Sequence, residues 1–244
     1  MHPQIVTTSD RPDLAEQGKR VLLPGWPEFI FHDPVSAALI GRAAEYFPRF
    51  DLRLLEDGSV IAGGWAVTLR WNGTEGALPA GYDGALISAI AEHESGVAAD
   101  TLCVMAAAVD SRRQGRGLGG QVLTALRSRA AQAGLKRMIA PVRPVLKSRY
   151  PLTPMENFAR WTRDDGRHVD PWIRTHQRLG AAIMRPAPRS MVITGTIAEW
   201  ERWAGMAFPE TGRYVVPGAL DPVEIDAEGN HGCYAETNLW MRHA

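Results

Sequence analysis

The chain has 244 residues, 45% hydrophobic and 22% charged, with 27 Lys and Arg balanced by 27 Asp and Glu. Balanced charge argues against a general nucleic-acid or membrane-surface binder, whose mark is a basic surplus, and no apolar run approaches the roughly 20 residues of a membrane span. The two cysteines, Cys103 and Cys233, are too few for a disulfide framework or a multi-cysteine zinc site. The polar N-terminus has no apolar signal core, so a cytoplasmic location is expected.

Residues 1–25 read as a leader with little regular structure, followed by one domain over 26–244 with an insert at about 143–171. Asp33-Pro34 is a helix start, Asp as N-cap and Pro at the first helical position. After it Val35, Ala38, Leu39, Ala43 and Phe47 recur at helical spacing. Two strand-like runs, Asp51–Leu55 and Val60–Arg70, flank a hairpin turn at Glu56-Asp57-Gly58, and Gly63-Gly64 suggests a bulge. Pro79–Gly96 reads as another helix. Leu102–Val109 is a short continuous apolar run, the pattern of a strand covered on both faces. It leads into a glycine-rich turn, then a helix with Val122, Leu123, Leu126 and Ala130 on its buried face. Gly134 stops that helix, and Met138–Val142 resumes as a strand.

The stretch Arg143–Pro171 is Pro-rich, polar and too long for an ordinary connection. Trp172–Leu179 reads as a short helix, and Ala181–Met184 and Ser190–Gly195 as strands. The tail holds Glu224-Ile-Asp and an apolar-aromatic run, Cys233–Met241. From Ser111 to Tyr150 there are ten basic residues and no Asp or Glu. Such local clustering on a neutral chain points to one anionic ligand held there.

Three kinds of phosphate-binding turn compete for Gln114–Gly120. Gly115-x-Gly117-x-x-Gly120 satisfies the dinucleotide fingerprint in form, but that motif also needs an acidic residue about 20 positions on. None stands between 111 and 150. A Walker loop is excluded because no Gly-Lys-Ser/Thr follows. The third reading is a diphosphate held by main-chain N–H groups at a helix N-terminus, where the helix dipole favours anions and glycines permit close approach.

Here the sequence resembles the GNAT acyltransferases. Gln114-Gly115-Arg116-Gly117-Leu118-Gly119, following Val109 after four spacer residues, matches their Q/R-x-x-G-x-G/A signature for the pyrophosphate of acyl-CoA. The resemblance implies an α/β fold: a mixed, mostly antiparallel sheet with helices on both faces and pantetheine along Leu102–Val109. It implies that Ala108, Val109, Gln114, Gly115, Arg116, Gly117, Leu118, Gly119 and Gly120 bind acetyl-CoA or another acyl-CoA. The stretch His176-Gln177-Arg178-Leu179-Gly180-Ala181 falls where these proteins carry a proton-donating tyrosine, so His176 becomes the expected donor to the leaving thiolate. Glu92 stands as a guess for the general base, and Arg143 and Lys147 as ligands of an acidic group on the substrate.

The expected reaction is acyl transfer, acetyl in the first instance, to an amine of a small molecule or peptide. Pro141–Pro151, Asp170–His176 and Tyr234–Trp240 also resemble the GNAT-like decarboxylase domains of polyketide loading modules. They carry the alternative of a malonyl-type CoA or carrier-protein thioester, with an acyl carrier protein as partner. A CoA-binding module without chemistry is the third possibility. His231, Cys233 and Glu236 match no familiar metal spacing, and no metal, nucleic-acid or membrane partner is expected.

Overall fold

The computed structural model describes residues 3–244. In chain order the elements are β1 (Gln4–Thr7), α1 (Ala15–Leu22), α2 (Pro34–Tyr46), β2 (Asp51–Glu56), β3 (Ser59–Leu69), α3 (Gly81–Glu94), β4 (Thr101–Val109), α4 (Leu118–Gln132) and β5 (Arg137–Val142). Then come α5 (Met155–Phe158), α6 (Pro171–Arg178), β6 (Ala182–Gly195), α7 (Ile197–Ala204), β7 (Gly212–Tyr214), β8 (Val223–Asp226) and β9 (His231–His243). One sheet of nine strands runs β1-β2-β3-β4-β5-β9-β8-β7, with β6 along the other edge of β9. Among these pairings only β4–β5 is parallel. No described helix is long and apolar enough to cross a membrane.

Local chemistry explains most elements. Asp33 caps α2, its Oδ2 accepting from Ser36 N at 2.7 Å. Asp57 and Gly58 both take positive φ, 51° and 75°, the geometry of a tight primed hairpin turn. On α4, Val122, Leu123 and Leu126 are fully buried, each contributing about 1.5–3 kcal/mol from its removal from water.

The two glycines of β3 mark opposite faces, as successive strand residues must. A Cβ on Gly63 would lie 2.8 Å from Leu22 of α1, and one on Gly64 2.7 Å from Val122 of α4. So α1 covers one face and α4 the other. The glycines are there for close packing; the irregularities fall beside them, at Leu54/Leu55 and at Trp65/Ala66.

Three expectations need correction. The N-terminal stretch is structured: β1 pairs with β2, and α1 packs on β3. Val6, Leu14 and Leu22 form a small cluster with Leu55 and Val60, contacts between separate elements that no local periodicity reveals. Met1 and His2 lie outside the described residues. The two strands expected over 181–195 are one, β6, whose register shifts between Ile183 and Pro186 and between Ala187 and Met191 accommodate Pro186 and Pro188. Helix α7 was not anticipated, although Thr196 and Glu199 form a capping box and Trp200 is fully buried.

The long insert is anchored by buried polar groups. Asp170 Oδ1 caps α6 at Trp172 N and Ile173 N, while Oδ2 accepts from Leu146 N at 2.6 Å. His168 Nδ1 accepts from Asp170 N, so Nε2 carries the proton donated to Phe158 O at 2.9 Å.

Candidate active site

The pairing of β4 with β5 ends early. Thr101–Cys103 face Arg137–Ile139; beyond them β5 stays with β9 through Val142, while β4 stays with β3 through Val109. The sheet therefore splays, and the edge of β4 from Val104 onward has no strand beside it. Trp65 pairs with Ala106 and Ala66 with Val104, leaving Met105 as the extra residue of a bulge at the mouth of the splay. Unpaired main-chain groups at such an edge are free to bond an extended ligand.

The glycine turn follows at the end of β4. Gly115 and Gly117 have φ of 79° and 73°, and a Cβ built on either meets nothing within 4 Å. Gly117 is the N-cap of α4, with no side chain capping the helix. The first-turn amides of Leu118, Gly119 and Gly120 thus lack intrahelical acceptors. Open space over uncapped amides at the positive end of a helix fits a diphosphate. Gly119 and Gly120 have a second reason to be small: a Cβ on Gly119 would sit 2.8 Å from Trp172 of α6, and one on Gly120 3.6 Å from Thr175. The arginines of the turn have acidic partners. Arg112 pairs with Asp110 at 2.9 Å, Arg116 with Glu56 at 2.7 Å, and Arg113 also with Glu56.

On the opposite face from α4, a cavity of about 220 Å³ lies between α1, α2 and strands β2–β4. It exists because Gly63, Ala106 and Ala108 put almost no side chain on that face. Trp26 and Trp65 line it, with Lys19, Asp51 and Arg53. Trp65 meets Tyr82 edge-on, ring centroids 6.3 Å apart. Beside Tyr82, Asp83 accepts from Val192 N at 3.3 Å. Burial and the neighbouring Asp33 push the Asp83 carboxyl up to about 7. Glu236 is fully buried and accepts from Arg143 Nε, Tyr234 OH and Asn238 Nδ2, each at 2.8 Å.

Comparison with known proteins places this architecture. No protein-family model matches the sequence. The chain superposes on the loading GNATL domain of CurA from Lyngbya majuscula with a TM-score of 0.58 at 14% identity, covering 100% of this chain and 98% of that one. It superposes equally on the GphF GNAT-like decarboxylase in complex with isobutyryl-CoA, TM-score 0.58 at 16% identity, covering 99% and 98%.

The chain has the GNAT fold.

A sequence relative spans its length: the arginine N-acetyltransferase avaD of Aspergillus versicolor is 29% identical over 269 residues, covering 97% of this chain and 92% of that protein.

Within this GNAT fold the anticipated catalytic residues are scattered. Glu92 is at the far end of the sheet: its Oε2 accepts from Arg70 N, just past Leu69, which pairs with Thr101 at the start of β4. A strand length, roughly 25 Å, separates it from the glycine turn. His176 is buried on α6, Nδ1 2.9 Å from Nε2 of His243 and its ring edge-on to Trp172. Burial, then the neighbouring His243, lower its pKa to about 3. The ring is neutral at physiological pH, and a neutral imidazole is a poor acid toward a thiolate.

Arg143 and Lys147 are also committed elsewhere. Arg143 donates to Glu236 and to Gly218 O, and lies over Trp26. Lys147 has no exposed side-chain surface; Nζ donates to Leu220 O at 2.5 Å and Tyr150 O at 3.0 Å. Each is a structural cation, and neither is free to bind a substrate carboxylate.

The residues that sequence reasoning missed are Arg53, Asp83, Trp26 and Trp65. Asp51 and Arg53 alternate with the buried Leu52 and Leu54 along β2 and so share its other face. Ala108, Val109 and Gln114–Gly120 are contiguous along the end of β4, the turn and the start of α4.

Proposed function

We propose that this chain is an acyltransferase that moves an acyl group, acetyl in the first instance, from an acyl-CoA to the amine of a small molecule. The observation that carries the reading is the full-length similarity to an arginine N-acetyltransferase. The splayed edge of β4 and the uncapped amides of α4 support it. The diphosphate sits on the first-turn amides of α4, and pantetheine runs along the free edge of β4. Main-chain N–H groups near Ala106–Val109 polarise the thioester carbonyl, where preorganised donors meet the charge that develops in the transition state. The neutral amine attacks the carbonyl carbon, the C–S bond breaks, and the proton that the nitrogen loses ends on the departing CoA thiol.

Free CoA is the better donor for this site, because the turn is suited to a diphosphate and a carrier-protein arm has a single phosphate. A carrier-protein thioester is the competing partner. Decarboxylation of a malonyl thioester is the other chemistry compatible with the fold. It needs a cation for the carboxylate, and Arg143, the residue expected to supply it, is paired with buried Glu236.

The test is direct. The protein is incubated with acetyl-CoA and a panel of amines that includes L-arginine, with thiol release and product mass recorded; malonyl-CoA without an amine is run beside it. Amine-dependent thiol release with an acetylated product supports the reading. Carbon dioxide loss from malonyl-CoA, with no amine acylated, overturns it.

A further inference from the structure

The cavity under α1 and α2 has apolar walls. Its strand side is Gly63 on β3 with Ala106 and Ala108 on β4. They share one face of the sheet, since Gly63 pairs with Ala108 and Trp65 with Ala106. Glycine and alanine are poor strand formers; what they supply here is room. The helix side is Leu22, Leu23, Ile40 and Phe47. Leu23 and Ile40 are 42% and 49% exposed, so the cavity reaches the surface over apolar side chains, between the end of α1 and the middle of α2.

The charged residues of the lining already have partners. Lys19 pairs with Glu16 at 2.8 Å and Arg53 with Asp51 at 2.5 Å. Arg53 Nε lies buried against Gly18 and Gly63, out of reach of a ligand. Among the described residues that line the cavity, no charge is left unpaired, and bringing an ionised group into such a place without a partner is costly. The acidic groups Asp33, Asp83 and Glu236 stand off its walls. The space therefore suits a neutral, apolar chain better than a cationic amine.

The floor is also the end of β4 that carries the thioester in the acyl-transfer reading. Leu102–Met105 are buried, whereas Ala106–Val109 are only half-buried. An acyl group whose carbonyl is held at that edge has this cavity as the adjoining space. Its volume, about 220 Å³, is that of about seven waters, and a methylene takes nearly the room of a water. An acetyl group would leave most of the space to water against apolar walls.

We propose that this cavity is the acyl-chain pocket of the donor, and that the protein prefers a saturated acyl-CoA of about six carbons to acetyl-CoA. This rests on the acyl-transfer reading and names its donor class. The chain passes Trp65 and Ala106, lies over Gly63 and Ala108, and is covered by Ala43 and Ala44 of α2.

The experiment measures kcat/KM by thiol release for acetyl-, butyryl-, hexanoyl- and decanoyl-CoA with one fixed amine, and the Kd of each acyl-CoA by calorimetry. A series of straight-chain primary amines, ethylamine to hexylamine, is run beside it with acetyl-CoA. Affinity is expected to rise about threefold for each methylene from acetyl to hexanoyl, the worth of removing a CH2 from water, and to level off by decanoyl. Ala44 is an exposed position on α2 that lines the cavity. Ala44→Trp should bring hexanoyl-CoA to within about threefold of acetyl-CoA, and the milder Ala44→Leu should make the gradient level off near butyryl.

Equal kcat/KM and Kd across the acyl series, or a gradient that both Ala44 variants leave intact, would overturn the proposal with acyl transfer upheld. A gradient in the amine series with none in the acyl series would also overturn it, assigning the cavity to the acceptor. If no amine consumes any acyl-CoA, acyl transfer itself has failed. Calorimetry then decides the cavity separately: a gradient with chain length that Ala44→Trp removes upholds it, and flat affinities or absence of binding reject it.

Discussion

Helix α4 carries its own control for the proposed diphosphate site. Gly117 at its N-terminus and Gly134 just past its C-terminus have nearly the same φ, 73° and 74°, and a Cβ on either meets nothing within 4 Å. Replacing each by Ala imposes the same left-handed backbone strain, about 1–2 kcal/mol, without a clash in the free protein. The two variants should therefore lose similar stability in urea unfolding. They should differ in ligand binding, because only the methyl at 117 enters the space above the uncapped amides of Leu118–Gly120. Displacing the diphosphate from one or two charge-assisted bonds costs about 3 kcal/mol, or about a hundredfold in Kd. Isothermal titration with CoA on the wild type, Gly117→Ala and Gly134→Ala gives the answer. Equal CoA affinity in both variants, at equal stability, would refute the assignment of the turn.

The remaining predictions concern buried titratable groups. His176 and His243 are lowered by burial to about 3 and about 4, so acid protonates the unfolded chain first. The stability they hold above about pH 6.5 is lost as pH falls, about 2 kcal/mol for one ring at pH 5. Urea midpoints of the wild type and a His176→Phe/His243→Leu variant at pH 7 and 5 should converge as pH falls, and parallel losses would reject the account. His176→Phe alone should leave kcat at pH 7.5 within about threefold of wild type; a collapse in kcat with unchanged folding would return the histidine to the chemistry.

Asp83 is shifted the other way, up to about 7, so its contribution to stability declines as pH rises from about 4 through 7. Asp83→Asn should gain on the wild type in urea midpoint between pH 5 and 8, and a constant difference would contradict the shift. Glu236→Gln leaves the buried Arg143 without its charge partner and should cost about 3–5 kcal/mol. A thermal melt within a degree of wild type would show that the pair is not buried in solution.

Much of the site that depends on one continuous segment was legible in advance. The apolar strand, the glycine turn and the amphipathic helix follow from hydrophobic run length, glycine spacing and the buried positions Val122, Leu123, Leu126 and Ala130. The hairpin at Asp57-Gly58 and the cap at Asp33 were equally local. Glu92 misled because a carboxylate on the right helix says nothing about which end of the sheet that helix end meets; Asp83, nine positions earlier, is the one perturbed by its neighbours. His176, Arg143 and Lys147 misled for a related reason. Their residue types suit catalysis or anion binding, but burial and partners distant in sequence (His243, Glu236 and Leu220) determine their charge and availability.

The amino-acid order alone determined the glycine turn before α4, because backbone conformation at Gly115 and Gly117 and the dipole of the following helix are properties of neighbours along the chain. Only the tertiary structure decided where the cavity under α1 and α2 lies. That cavity is made from α1, α2 and three strands, and glycines on two of those elements lie against the side chain of Arg53. Contacts of that kind depend on which faces meet in space, and hydrophobic periodicity carries no record of them.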